Sequence, residues 1–194
     1  DAGLPGIADP GEVLVAAART AGHSVICIPG PSAVTTALVS SGLPCGRFCF
    51  EGFLPPKTNQ RRKRLQELQV EQRTMVLFEA PHRLLDLLND LLAVLGDRPL
   101  RVARELTKKH EEQVGPSVSA AIEHFRRTPP QGECTLVVAG ALPPEPLAWD
   151  SAALSAELQE LQRAGHSSNA AAKLLAERTG HSKRELYALL HQES

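Results

Sequence analysis

DAGLPGIADPG (residues 1–11) and PGPSA (residues 29–33) decide how this chain is read. Asp9, Pro10 and Glu12 stand as N-cap, N1 and N3 of a helix. That helix starts at Pro10, runs to Ala21 and stops at Gly22. Ser24 to Ile28, apolar and β-branched before Pro29, reads as a buried strand of a parallel sheet. Ser32 then caps a second helix, Ala33 to Ser41, ended by Gly42. If Asp1 itself follows a strand, the order helix, strand, turn, helix puts both Gly/Pro turns on one sheet edge. Open α/β sheets bind ligands at that edge, outside the strand carboxyl ends.

Working outward, residues 46–142 read as a second α/β unit. Strands are expected at Phe48–Gly52, Thr74–Phe78, Arg101–Arg104, His110–Val114 and Cys134–Ala139. Helices are expected at Gln60–Leu68, Pro81–Leu95 and Val118–Arg127, with Leu84, Leu87, Leu88, Leu91, Leu92 and Leu95 at helical spacing. The alternation predicts a mixed sheet covered by helices. Residues 143–150, with Pro143, Pro144 and Pro146, read as a linker. Residues 151–194 read as a small helical domain, Ser151–Ala164, Ser168–Arg178 and Ser182–His191, broken at Gly165 and Gly180. Its second half resembles a helix-turn-helix. Its charges balance, which argues against a DNA reader and for a docking or RNA-guiding accessory role.

The 194 residues are 42% hydrophobic, and no apolar run approaches the roughly 20 residues of a membrane span. No secretory signal is visible, so a cytoplasmic protein with no membrane partner is expected. Cys27, Cys45, Cys49 and Cys134 form no CxxC pair and are expected as small buried hydrophobes in a reducing compartment. Cys45 and Cys49 have no His/Cys pair of matching spacing, so no metal site is expected. The formal net charge is -1, yet residues 46–110 hold a net +5. Lys57, Arg61, Arg62, Lys63 and Arg64 fall within eight residues there, with Arg47, Arg83, Arg101, Arg104, Lys108 and Lys109 spread more widely. Such a run is either a solvated helix face or a phosphate-contacting stripe.

The two turns resemble the tetrapyrrole methylase superfamily. FEGFLPPK (50–57), RRKRL (61–65), FEAPHRLLDLL (78–88) and ARELTKKHEE (103–112) are similar, in that order, to its ribosomal RNA small subunit methyltransferase branch. The likeness covers roughly residues 1–140. It implies two α/β domains with S-adenosylmethionine between them, the first (residues 1–45) incomplete. Family members open with a strand and a glycine-rich loop before this turn, so an N-terminally truncated fragment is expected. The implied activity is methylation of the ribose 2'-hydroxyl of a cytidine in small-subunit ribosomal RNA. A porphyrinoid C-methyltransferase and a non-catalytic RNA-binding module are the alternatives. A homodimer is implied by the superfamily; DNA is not an expected partner.

Matched by position, Ala2, Gly3, Leu4 and Ile7 lie on the donor-binding turn. Leu4 stands where that turn carries an acidic residue, which leaves backbone contacts only. Ser32 and Ala33 match a small pair where helix amides meet the donor. Glu79 and Lys108 match positions facing the donor from the second domain. A sulfonium methyl is already activated, so in-line alignment suffices without a metal, but a ribose hydroxyl needs a proton acceptor. Glu79, Lys108 with a lowered pKa, and His82 are the candidates. Lys57, Arg61, Arg62, Lys63, Arg64, Arg83 and Arg104 are the candidate RNA contacts; Arg83 and Arg104 also read as members of a structural ion-pair set with Glu105.

Overall fold

Apolar runs punctuated by Gly and Pro turns build one five-stranded mixed sheet, seen in a computed structural model that describes residues 3–143 and 149–190. Its strands are β1 (Phe48–Phe53), β2 (Thr74–Glu79), β3 (Leu100–Arg104), β4 (Glu112–Val114) and β5 (Cys134–Val138), in the order β1-β2-β5-β3-β4. β1 and β2 are parallel, while β5 is antiparallel to both β2 and β3, and β4 is antiparallel to β3. β1, β2 and β3 therefore run the same way. Their carboxyl ends share one edge with the amino end of β5.

The helices of the first unit, Asp1–Ala141, are α1 (Glu12–Thr20), α2 (Ala33–Ser40), α3 (Thr58–Glu67), α4 (Pro81–Leu95) and α5 (Val118–Arg127). Strand alternation sends Met75, Leu77, Leu100, Val102, Leu136 and Val138 to one sheet face. There they pack with the leucine stripe of α4 and with Val118, Ile122 and Phe125 of α5. Val76, Ala103 and Val137 point the other way, to Val34, Ala37 and Leu38 of α2. Pro81 opens α4 at its first turn and the Ser117 side chain caps α5.

The second unit, Leu142–Ser194, holds α6 (Ser151–Arg163), α7 (Ser168–Thr179) and α8 (Lys183–Leu189). Asp150, Ser167 and Ser182 cap them, the last in a capping box with Glu185. Leu154, Leu158, Ala171, Ala172, Leu175 and Leu186 form its own core. Residues 144–148 of the expected linker, and Ala2, lie outside the described residues.

Four expectations are corrected. Residues 24–28 form no strand, and Ile26 is 84% exposed, because no described strand lies beside them to supply ladder hydrogen bonds. The first helix begins at Glu12, not Pro10; Gly11 is its N-cap, with no side-chain cap bond, and the helix buries none of its residues. The fourth strand starts at Glu112 instead of His110, because residues 105–111 are taken up by a turn. Cys27 and Cys45 are exposed; Cys134 alone is buried.

One interaction joins α3 to α4 beneath the surface. Arg61, 3% exposed, donates from Nε to Asp90 Oδ2 at 2.7 Å and from Nη1 to the Pro56 carbonyl; Arg62 Nε reaches Asp90 Oδ1 at 2.6 Å. Removing the carboxylate strands a buried guanidinium. Asp90→Ala is expected to lower unfolding free energy by about 3–5 kcal/mol, whereas Arg62→Ala, half exposed, costs about 1 kcal/mol or less. Urea denaturation of the two variants checks the difference.

Candidate functional site

Three of the motif blocks meet at the carboxyl edge of the sheet. FEGFLPPK crosses the end of β1, FEAPHR the end of β2, and ARELTKKHEE the end of β3. Because these strands are parallel to one another, the loops that follow them, and the Gln131–Gly132 turn before β5, lie along that edge. Sequence separation of more than fifty residues between the first and last block is thereby closed.

The two Gly/Pro turns also meet. Leu4 N–H donates to the Pro31 carbonyl at 2.8 Å, and a Cβ on Gly3 would sit 3.0 Å from that oxygen. Gly3 has φ +134, which glycine tolerates and other residues rarely adopt. Ser32 is the N-cap of α2 but makes no side-chain cap bond, which leaves the first-turn amides without a side-chain cap among the described residues. Past α2, the Pro44 carbonyl accepts from Thr74 Oγ1 at the amino end of β2. The amino end of α2, with Ser32 and Ala33, is thus directed away from that amino edge. Ile7 is exposed on the same first turn.

Glu79 closes β2. Alternation along β2 puts Met75, Leu77 and Glu79 on the α4–α5 face, opposite α2. Glu79 is fully buried; Oε1 accepts from Ala80 N–H at 2.9 Å, and the Arg83 guanidinium lies 3.1 Å from Oε2. Arg83 also donates to the Leu54 carbonyl. The pair ties the ends of β1 and β2 to the first turn of α4. In the same row across the sheet stand Cys134 of β5, Arg104 of β3 and Glu112 of β4. Arg104 is ion-paired to Glu112, so neither Arg83 nor Arg104 presents an uncommitted guanidinium.

His82 is exposed on the first turn of α4, with no hydrogen-bond or ion-pair partner among the described residues. Lys108, exposed, lies 3.1 Å from Glu105 Oε1. Glu105 (φ 50) and Thr107 (φ 65) both sit in the left-handed region, and a Cβ on Gly132 would collide with the Glu105 carboxylate. Such backbone strain gathers in loops that hold ligands.

The basic run divides by partner. Arg61 and Arg62 are spent on Asp90, and Arg64 on Glu51 (2.6 Å) and Glu67 (2.8 Å). Lys57 and Lys63 are exposed without an ion pair among the described residues. One residue at this edge went unread in the sequence. Between Phe50 and Gly52 the β1–β2 register shifts, so that Phe53 stands opposite Phe78. Gly52 (φ +63) was the available signal, since a glycine inside a strand pattern marks a bulge.

Residues 1–123 match the family model for tetrapyrrole (corrin/porphyrin) methylases. The chain belongs to the tetrapyrrole methylase family. Within it, the chain is 48% identical over 190 residues to a ribosomal RNA small subunit methyltransferase I of Synechocystis, covering 97% of this chain and 68% of that protein. It is 49% identical over 189 residues to the protein of that name from Mycobacterium tuberculosis, covering 96% and 65%. The chain thus spans about two thirds of the length of these relatives. The crystal structure of the methyltransferase CobJ shares the fold, with a TM-score of 0.53 at 19% identity, over 72% of this chain and 62% of that one.

The four thiols of this methylase differ in exposure and so in reactivity. Burial pushes the Cys134 thiol up to about 11, against the partial relief of Arg104, and Cys49 is raised chiefly by burial too. At pH 8 Cys134 is therefore a neutral thiol. Alkylation by iodoacetamide at that pH is expected to label Cys27 and Cys45 first, Cys49 more slowly, and Cys134 only after unfolding, as peptide mass mapping will read.

Proposed function

We propose that this chain carries S-adenosylmethionine-dependent methyl transfer to the ribose 2'-hydroxyl of a cytidine in small-subunit ribosomal RNA. The observation that carries the reading is the meeting of three motif blocks at one carboxyl edge, in a chain nearly half identical to proteins named ribosomal RNA small subunit methyltransferase I. A cytoplasmic homodimer belongs to the same reading.

The residues present suit such a donor. Gly3 and Gly30 let two backbone turns approach each other closely, and the amino end of α2 offers amides without a side-chain cap. Gly3, Leu4, Ile7, Ser32 and Ala33 would hold the donor, mostly through backbone. When bound, S-adenosylmethionine supplies a methyl group already activated on a sulfonium. What the protein adds is alignment and a proton acceptor for the hydroxyl.

His82 takes that proton in this reading, because it is exposed at the carboxyl edge with no competing partner. Glu79, buried on the opposite face, accepting from Ala80 N–H and ion-paired to Arg83, acts as a positioning residue that holds the His82 turn in place. Lys108, tethered to Glu105, contributes positive charge beside the substrate.

The test uses full-length protein, methyl-labelled S-adenosylmethionine and small ribosomal subunits from a strain lacking the enzyme. Label on a cytidine 2'-oxygen is the expected result; label on a base, or only on an added tetrapyrrole, overturns the reading. His82→Ala is expected to lower kcat by about 10²-fold or more with KM for RNA little changed. Gly3→Ala, which forces Pro31 away, is expected to weaken donor binding in calorimetry while leaving RNA binding intact.

A further inference from the structure

We infer that Phe53 is the stacking platform for the target nucleobase, with Lys57 and Lys109, in the loops after β1 and β3, holding phosphates. The inference rests on the ribosomal RNA reading above and names the part of the protein that grips the RNA.

The bulge in β1 is the starting point. Phe50 pairs with Val76 and so lies on the α2 face; three residues later, a regular strand would send Phe53 to the α4 face. The extra residue at Glu51–Gly52 returns it to the α2 face, opposite Phe78. The Phe50 and Phe53 rings both stand against Phe78, with centroids 5.0 and 5.6 Å away. Phe78 is thus shared from two sides, whereas Phe53 remains 48% exposed at the carboxyl edge. The bulge sets one side of the Phe53 ring against Phe78 and leaves about half of the residue open to solvent. The result is a flat apolar surface on the face that carries α2.

The charges around that ring suit a nucleic acid strand. Lys57 follows Phe53 by four residues in the loop after β1, exposed and without an ion pair among the described residues. Lys109, also exposed and unpaired there, stands in the loop after β3. Three strand spacings separate the ends of β1 and β3, about 14 Å at the usual distance between neighbours. An unpaired strand crossing these loops would meet an aromatic face and two lysine cations. Single-stranded RNA is recognised in this way, by bases splayed onto aromatic rings and phosphates held by Lys or Arg. The α3 arginines, by contrast, are committed to Asp90, Glu51 and Glu67 and stay out of this path.

The experiment uses the full-length protein, a small-subunit ribosomal RNA transcript and labelled donor. Phe53→Leu keeps an apolar contact with Phe78 but has no ring face, so its thermal midpoint and donor affinity are expected to stay near wild type. Its kcat/KM for RNA is expected to fall about 10- to 100-fold, with Phe53→Tyr restoring most of the loss. The Lys57→Ala/Lys109→Ala double variant is expected to bind the transcript more weakly and with a shallower salt dependence, and Arg62→Ala, whose charge is committed to Asp90, to do neither. Wild-type kcat/KM for Phe53→Leu overturns the platform. A salt slope that changes for Arg62→Ala and not for Lys57→Ala/Lys109→Ala overturns the path. If wild-type protein places no label in the RNA at all, the ribosomal RNA reading fails instead.

Discussion

Strand β5 lies wholly buried between β2 and β3, antiparallel to both, and its register sets which side chain faces which layer. A slip of one residue would exchange Cys134, Leu136 and Val138 for Thr135 and Val137 and turn both cores inside out. The same register aligns Glu79, Cys134, Arg104 and Glu112 in one row and keeps the carboxyl ends of β1, β2 and β3 level. The loops that carry the motif blocks therefore share an edge because of a strand that carries none of those motifs.

Ion pairing then decides which charges remain for a ligand. A net positive stretch invites the view that every Lys and Arg in it meets phosphate. Here Asp90 holds two of the arginines and Glu51 with Glu67 a third, so the dense part of the run braces α3 against α4 and β1. Exposed lysines in the edge loops, individually unremarkable in the sequence, keep their charge for solvent and ligand. Coulomb attraction inside a folded chain consumes cations before a partner can reach them.

Backbone irregularity shapes the rest of the edge. Gly52 permits the bulge that turns Phe53, Gly3 permits the close approach of Leu4 to Pro31, and Gly132 leaves room for the Glu105 carboxylate. Each glycine sits where positive φ, a close approach or both exclude other residues.

Periodicity alone determined the helices Pro81–Leu95 and Val118–Arg127 and the strands around Thr74, Cys134 and Leu100, because leucine spacing and short β-branched runs act locally. The motif blocks likewise pointed to the family from their residues. Residues 24–28 show where locality ends: a β-branched run is a strand only when another strand supplies its hydrogen bonds. Glu79 shows the same limit, since alternation along β2 groups it with Met75 and Leu77, but only the packing of α2 against Val76 and Val137 shows that α2 covers the other face. The sequence determined elements and chemistry residue by residue. The tertiary structure alone decided faces, ion-pair partners and the aim of Phe53, because these depend on contacts between residues far apart along the chain.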